Sequence, residues 1–203
     1  METEQIFEII TALSNNVFIL MILIFLYATT NFEIKNSKYY KQVLSGLVLA
    51  LAALFIMSNP YYFEAGINFD TRTILFSIAG VFFGPLATIV AGVIAMIYRL
   101  IIGGSGVPVG IISIAASAFI GIIWNKLVYR VKFVNRYMEY YIFGLIIHAI
   151  TIIIFLFLPN SLTVIRVIAV PFLVIFPIVS MFIGVLMEQQ HQRISNMKLN
   201  QAQ

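Results

Sequence analysis

Cysteine is absent from the 203 residues, which excludes disulfides, thiolate metal sites and a cysteine nucleophile. Charge is also scarce. Only 10% of the residues are Asp, Glu, Lys or Arg, against about a quarter in a soluble domain. With 62% hydrophobic residues, the chain cannot cover itself with a wetted surface. The formal charge of +4 lies mostly in short loops, a pattern of membrane topology rather than of nucleic-acid binding. A P-loop, a His-Glu-x-x-His helix and a nucleophile elbow are all missing, and the acidic residues are too scattered for a catalytic pair. Of the two histidines, His148 lies in an apolar segment and His191 in a polar one, so no metal site is expected. No catalysis and no cofactor are expected within this chain.

What is present is long apolar segments. They run over residues 6–30, 43–58, 74–83, 86–102, 109–128, 140–158 and 164–187. A crossing helix needs about 20 residues, so 74–83 is too short alone; Gly84-Pro85 separates it from the next segment. The expected fold is an all-α polytopic membrane bundle of about six or seven segments, including a short hairpin or re-entrant pair. Acidic residues stand where a signal peptide needs Lys or Arg, so the first segment is expected to be retained.

Lys35, Lys38 and Lys41 mark one cytoplasmic loop, and Lys126, Arg130, Lys132 and Arg136 another. An even number of crossings must separate them, which places the N-terminus outside and the C-terminus inside. The expected organisation is a membrane domain over 1–187 and a cytoplasmic helical tail over 188–203. In the tail, Met187, Ile194 and Met197 follow a 7-then-3 spacing. That fits a short heptad seam opening a signalling helix, or simply a solvated end.

Three of the six arginines break the charge pattern: Arg72, Arg99 and Arg166 fall at the outer ends of apolar segments. Ionisable groups there usually face a bundle interior or a wet cavity. Arg72 lies 12 residues before Gly84 and Arg99 14 after Pro85. A hairpin turning at Gly84-Pro85 therefore brings both guanidinium groups to nearly one level. Asp70 can neutralise one, and a bound carboxylate or phosphate the other. The competing reading has both arginines snorkelling to head groups or pairing structurally with Asp70 and Glu64. Arg166, two residues into its segment, suits snorkelling.

Gly103-Gly104-Ser105-Gly106 follows Arg99 and suits an anion nest or a tight turn. Ser113, on the returning helix, is placed to donate to a ligand or to bond back to its own helix. His148 suits a hydrogen bond to a neighbouring helix better than a proton relay. Gly80, Gly84 and Gly92, with Ala87, Ala91 and Ala95, set small-xxx-small spacings for close helix packing. Pro171 and Pro177 are expected to kink the last segment.

The series Asn68-Phe69-Asp70-Thr71-Arg72, Gly80, Phe83-Gly84-Pro85, Tyr98-Arg99, Gly103-Gly104, Val109-Gly110 and Gly121 resembles the LytS-type five-transmembrane receptor domain over roughly residues 32–188. Members are input modules of bacterial sensor histidine kinases, in two-component systems, and of diguanylate cyclases; some kinases of this type sense extracellular pyruvate. The resemblance implies a receptor in the bacterial cytoplasmic membrane. Arg72 and Arg99 would hold a small carboxylate, assisted by Ser113, with Asp70, Gly103 and Gly104 completing the site. It also implies a homodimer, and an output carried by a longer parent chain or a partner. The domain is similar as well to the substrate-binding components of energy-coupling-factor transporters, a second expectation. The first segment offers only Ala12 and Ala28 toward the AxxxA docking face such a component uses.

Overall fold

The computed structural model describes residues 7, 11–12, 14–22, 38–64, 66–128 and 135–201. Residues 14–22 are helical; most of the first apolar segment lies outside the described residues, as do Lys35, Arg130 and Lys132. Then follow α1 (Tyr39–Ser58), β1 (Tyr61–Glu64), β2 (Ile67–Phe69), α2 (Arg72–Phe82), α3 (Gly84–Ile102), α4 (Val107–Val128) and α5 (Arg136–Phe155). The chain closes with α6 (Ser161–Val170), a π-helical turn (Pro171–Ile175) and α7 (Phe176–Gln201).

Among the described residues, five stretches are long and apolar enough to cross a membrane: Tyr39–Ser58, Gly84–Ile102, Val107–Trp124, Arg136–Phe155 and Ser161–Met197. Helix α3 shows what the composition demands. Ala87, Ala91, Ala95 and Arg99 form a buried stripe, while Ile89, Val93, Ile97 and Leu100 form an exposed one. A continuous exposed aliphatic stripe is a liability in water and the natural contact for lipid.

The short member of the hairpin is α2. Its 11 residues rise about 16 Å, half of a roughly 30 Å hydrocarbon core, and all of them are buried. Pro85 sits in the first turn of α3, where its missing N–H costs nothing. The hydroxyls of Ser77, Thr88, Ser117 and Thr151 bond back to carbonyls of their own helices, so the interior carries them without strain.

Glycine decides how closely the helices approach. A Cβ on Gly80 would come within 2.5 Å of the Gly121 carbonyl carbon, and one on Gly121 would run into the Ser77 carbonyl, so α2 and α4 touch backbone to backbone. Gly46 admits Ala87 and Val90 of α3 against α1. Gly144 and Gly184 admit α7 and α5 to each other, with Gly184 lying against the Tyr140 ring. Small residues at such crossings are the usual means of packing helices in lipid.

Two features depart from the sequence reading. A two-stranded antiparallel hairpin, pairing Tyr61 with Phe69 and Tyr62 with Asn68, stands between α1 and α2. Its strands of 4 and 3 residues are too short to register in a hydropathy profile. The last apolar segment does not simply kink: Ser161–Met197 runs on as 37 residues, with a π turn beginning at Pro171. The tail continues helically to Gln201; in it Ile194 is buried and Met197 exposed.

The Gly80–Gly121 crossing has a direct consequence. Gly121→Ala should lower stability by about 3 kcal/mol or more, as overpacking does where backbone cannot give way. Gly92→Ala, whose new methyl would meet only Ile114 Cγ2 at 3.9 Å, should be neutral or gain up to about 1 kcal/mol of helix propensity. Thermal unfolding in detergent measures both. Equal melting points would remove the crossing from the account.

Candidate anion-binding site

The site starts from the β-hairpin. It delivers Asp70 to the head of α2, where one carboxylate oxygen accepts from the Arg72 backbone N–H at 2.9 Å and lies 3.1 Å from Arg72 Nε. Arg72 Nη2 donates to the Asn68 carbonyl at 3.3 Å. Both side chains are almost wholly buried. The pair is thus fixed by three residues of local sequence and by the strand that precedes it.

Arg99 arrives from the far end of α3 and is 2% exposed. Its Nη2 donates to the Gly66 carbonyl at 2.9 Å, and the same oxygen accepts from the Gly106 N–H at 3.1 Å. The arginine is therefore pinned to the tip of the hairpin. Gly110 makes room for it: a Cβ there would sit 2.8 Å from Arg99 Nε. Among the described residues that Nε has no hydrogen-bond partner. A buried unpaired N–H on a charged group is costly and calls for an acceptor.

Arg72 and Arg99 line one cleft, together with Ile67, Asn68, Phe69, Gly106, Val109, Gly110, Phe155 and Leu158. The two guanidinium groups repel each other across it, and Asp70 is the opposing charge. One wall is thus cationic with a spare donor, and the other is aliphatic and aromatic. A cationic donor beside an apolar wall is the pairing that a small anion with an apolar end calls for.

The sequence-derived residues divide. Arg72, Arg99 and Asp70 are brought together. Gly103 and Gly104 are not among the lining residues; both have positive φ and turn the chain out of α3. Gly104 lies back to back with Gly66, so no side chain could be accommodated there. Ser113 is buried outside the lining and donates to the Gly110 carbonyl at 2.9 Å, the back-bonded alternative. Arg166 is exposed on α6. Sequence reasoning missed Gly66 and the walls from α5 and its end. The aromatic run 61–63 followed by Gly66 and Ile67-Asn68-Phe69 was a usable hairpin signal.

Fold and site together define a multi-pass helical membrane domain with a two-arginine cleft at one end. The chain belongs to the five-transmembrane receptor family described as 5TMR of 5TMR-LYT, which matches residues 24–190. It is therefore a membrane sensor module of signalling proteins and not itself catalytic. Neither a curated relative nor a solved structure matches it.

Removing Asp70 leaves two buried cations with no counter-charge among the described residues. Asp70→Ala should cost about 3–5 kcal/mol, the usual penalty for breaking a buried pair from one side. Sodium acetate should restore part of the lost melting temperature, where sodium chloride at equal ionic strength restores less. A melting point unchanged by the substitution would show that Asp70 carries no electrostatic load.

Proposed function

We propose that this module binds a small pyruvate-like carboxylate in the Arg72–Arg99 cleft and signals to a cytoplasmic output, a histidine kinase or diguanylate cyclase. The observation that carries the reading is the sharing of one buried cleft by two arginines from different helices, one of them with an unpaired Nε. Guanidinium holds carboxylate through paired, directional hydrogen bonds. Arg99 Nε would donate to one carboxylate oxygen, while Arg72, already held by Asp70, supplies the second charge. Phe69, Val109, Phe155 and Leu158 would cover the ligand's apolar end. Gly103 and Gly104 shape the loop that carries Gly106, and Ser113 steadies the turn of α4 that carries Gly110.

The cleft opens, in this reading, on the outer face of the bacterial cytoplasmic membrane, with the N-terminus out and the tail in. Exposed Lys38 at the start of α1 and Lys126 at the end of α4 support that orientation. The chain works as a homodimer, its tails leading to the output. Ligand shifts the receptor between states only through unequal affinity for them.

Purified protein should be stabilised by pyruvate, and less by acetate, which has no 2-oxo group. At a hundred times the dissociation constant the gain is about 2.7 kcal/mol. Arg72→Ala and Arg99→Ala should each abolish the thermal shift while leaving the protein folded. Equal shifts in all three proteins would overturn the assignment.

A further inference from the structure

The cleft wall continues without a break into the last helix. Phe69 and Phe155, which line the cleft, have ring centroids 5.3 Å apart, and both meet Phe172, at 6.3 and 5.4 Å. Phe172 lies in the π turn and packs on Phe176 at 4.6 Å, the first residue of α7. A second link runs from α2. Thr73, adjacent to Arg72, lies with its hydroxyl 3.3 Å from His148 Nε2. His148 Nδ1 is 2.7 Å from the Gly144 carbonyl, which can only accept, so Nδ1 carries the hydrogen and Nε2 accepts from Thr73. The edges or faces of Phe172 and Phe176 meet that same imidazole at 5.8 and 5.1 Å. His148, Phe172 and Phe176 are essentially inaccessible.

Both links end at the stretch of Ser161–Met197 where the helix departs from α geometry. Pro171 cannot donate to the Val167 carbonyl, nor Pro177 to the Leu173 carbonyl, so the ladder is slack on both sides of the turn. The Phe176 N–H instead reaches back five residues to the Pro171 carbonyl. A π turn holds one residue more than an α turn, and such turns are where long helices bend and functional sites form.

We propose that the π turn at Pro171–Ile175 is a conformational joint set by the cleft, through the Phe69–Phe155–Phe172 rings and the Thr73–His148 hydrogen bond. The inference rests on the reading of the cleft as the ligand site. Rearrangement of Phe69 and Arg72 around a bound anion changes what Phe172 and His148 pack against. The turn responds, and α7 is re-aimed relative to α5. Packed rings have discrete arrangements rather than a continuum, so small shifts become two-state ones.

The absence of cysteine permits a clean test. Spin labels on Tyr137→Cys and Met197→Cys, both exposed, report the distance between the start of α5 and the tail of α7 by pulsed EPR in lipid nanodiscs. Thr73→Val removes the hydroxyl with little change of shape, and Phe69→Leu removes a relay ring. Each should shift or broaden the distance distribution relative to the labelled parent. Thr88→Val, equally buried but bonded within its own helix, should leave it unchanged. Distributions matching the parent in both relay variants, with folding verified by thermal unfolding, overturn the joint. So does an equal change in Thr88→Val. No carboxylate is added, so this outcome is independent of whether pyruvate binds.

Discussion

Two guanidinium groups held in an apolar bundle against one carboxylate form the constraint around which the hairpin end of the molecule is arranged. Arg72 takes Asp70, and Arg99 takes a backbone carbonyl at Gly66. A carbonyl dipole is a weaker partner than a carboxylate, so the second cation remains under-compensated. Holding that arrangement requires three segments to meet at close quarters: the hairpin tip, the loop after α3 and the first turns of α4. Gly66 against Gly104, and Gly110 under Arg99, are the contacts that make the approach possible. The glycines near the site therefore serve charge placement as much as chain reversal.

The same economy runs through the bundle. Helix α2 is too short to span a bilayer and too buried to serve as a lipid-facing wall. Its position against α4, set by Gly80 and Gly121, puts the residue after Arg72 in contact with α5 through His148. Burial at every position means that a change at its head is met by packed neighbours rather than by lipid. That is the physical basis for the proposed link, through a short central helix, between the cleft and α7.

Much of this was legible in the sequence, and the limits have identifiable causes. Apolar length located α1, α3, α4, α5 and the last span, and the Gly84-Pro85 turn with symmetric arginine spacing brought Arg72 and Arg99 to one cleft. His148 bonding to a neighbouring helix was also legible, because a lone buried imidazole must find a partner. The β-hairpin was overlooked, since strands of 4 and 3 residues between spans carry little hydropathy signal and only the aromatic pattern of residues 61–63 and 67–69 marks it. Gly66 was invisible for another reason: its role is played by a backbone carbonyl, which no side-chain pattern encodes. For Ser113 the sequence left two partners open, and the hydroxyl turned to its own helix because a carbonyl three residues back is always within reach. The prolines at 171 and 177 announced a disturbed helix but not its π geometry, which depends on what Phe172 packs against.

Solid-state NMR on the protein in bilayers tests the central claim most directly. With 15N-guanidinium arginine and 13C-carboxylate pyruvate, the account predicts strong dephasing of the carboxylate carbon by guanidinium nitrogen, lost in the Arg72→Ala, Arg99→Ala double variant. The contrary result is close contact of those two guanidinium groups with lipid phosphorus and none with the carboxylate. That would make them head-group anchors rather than a receptor site.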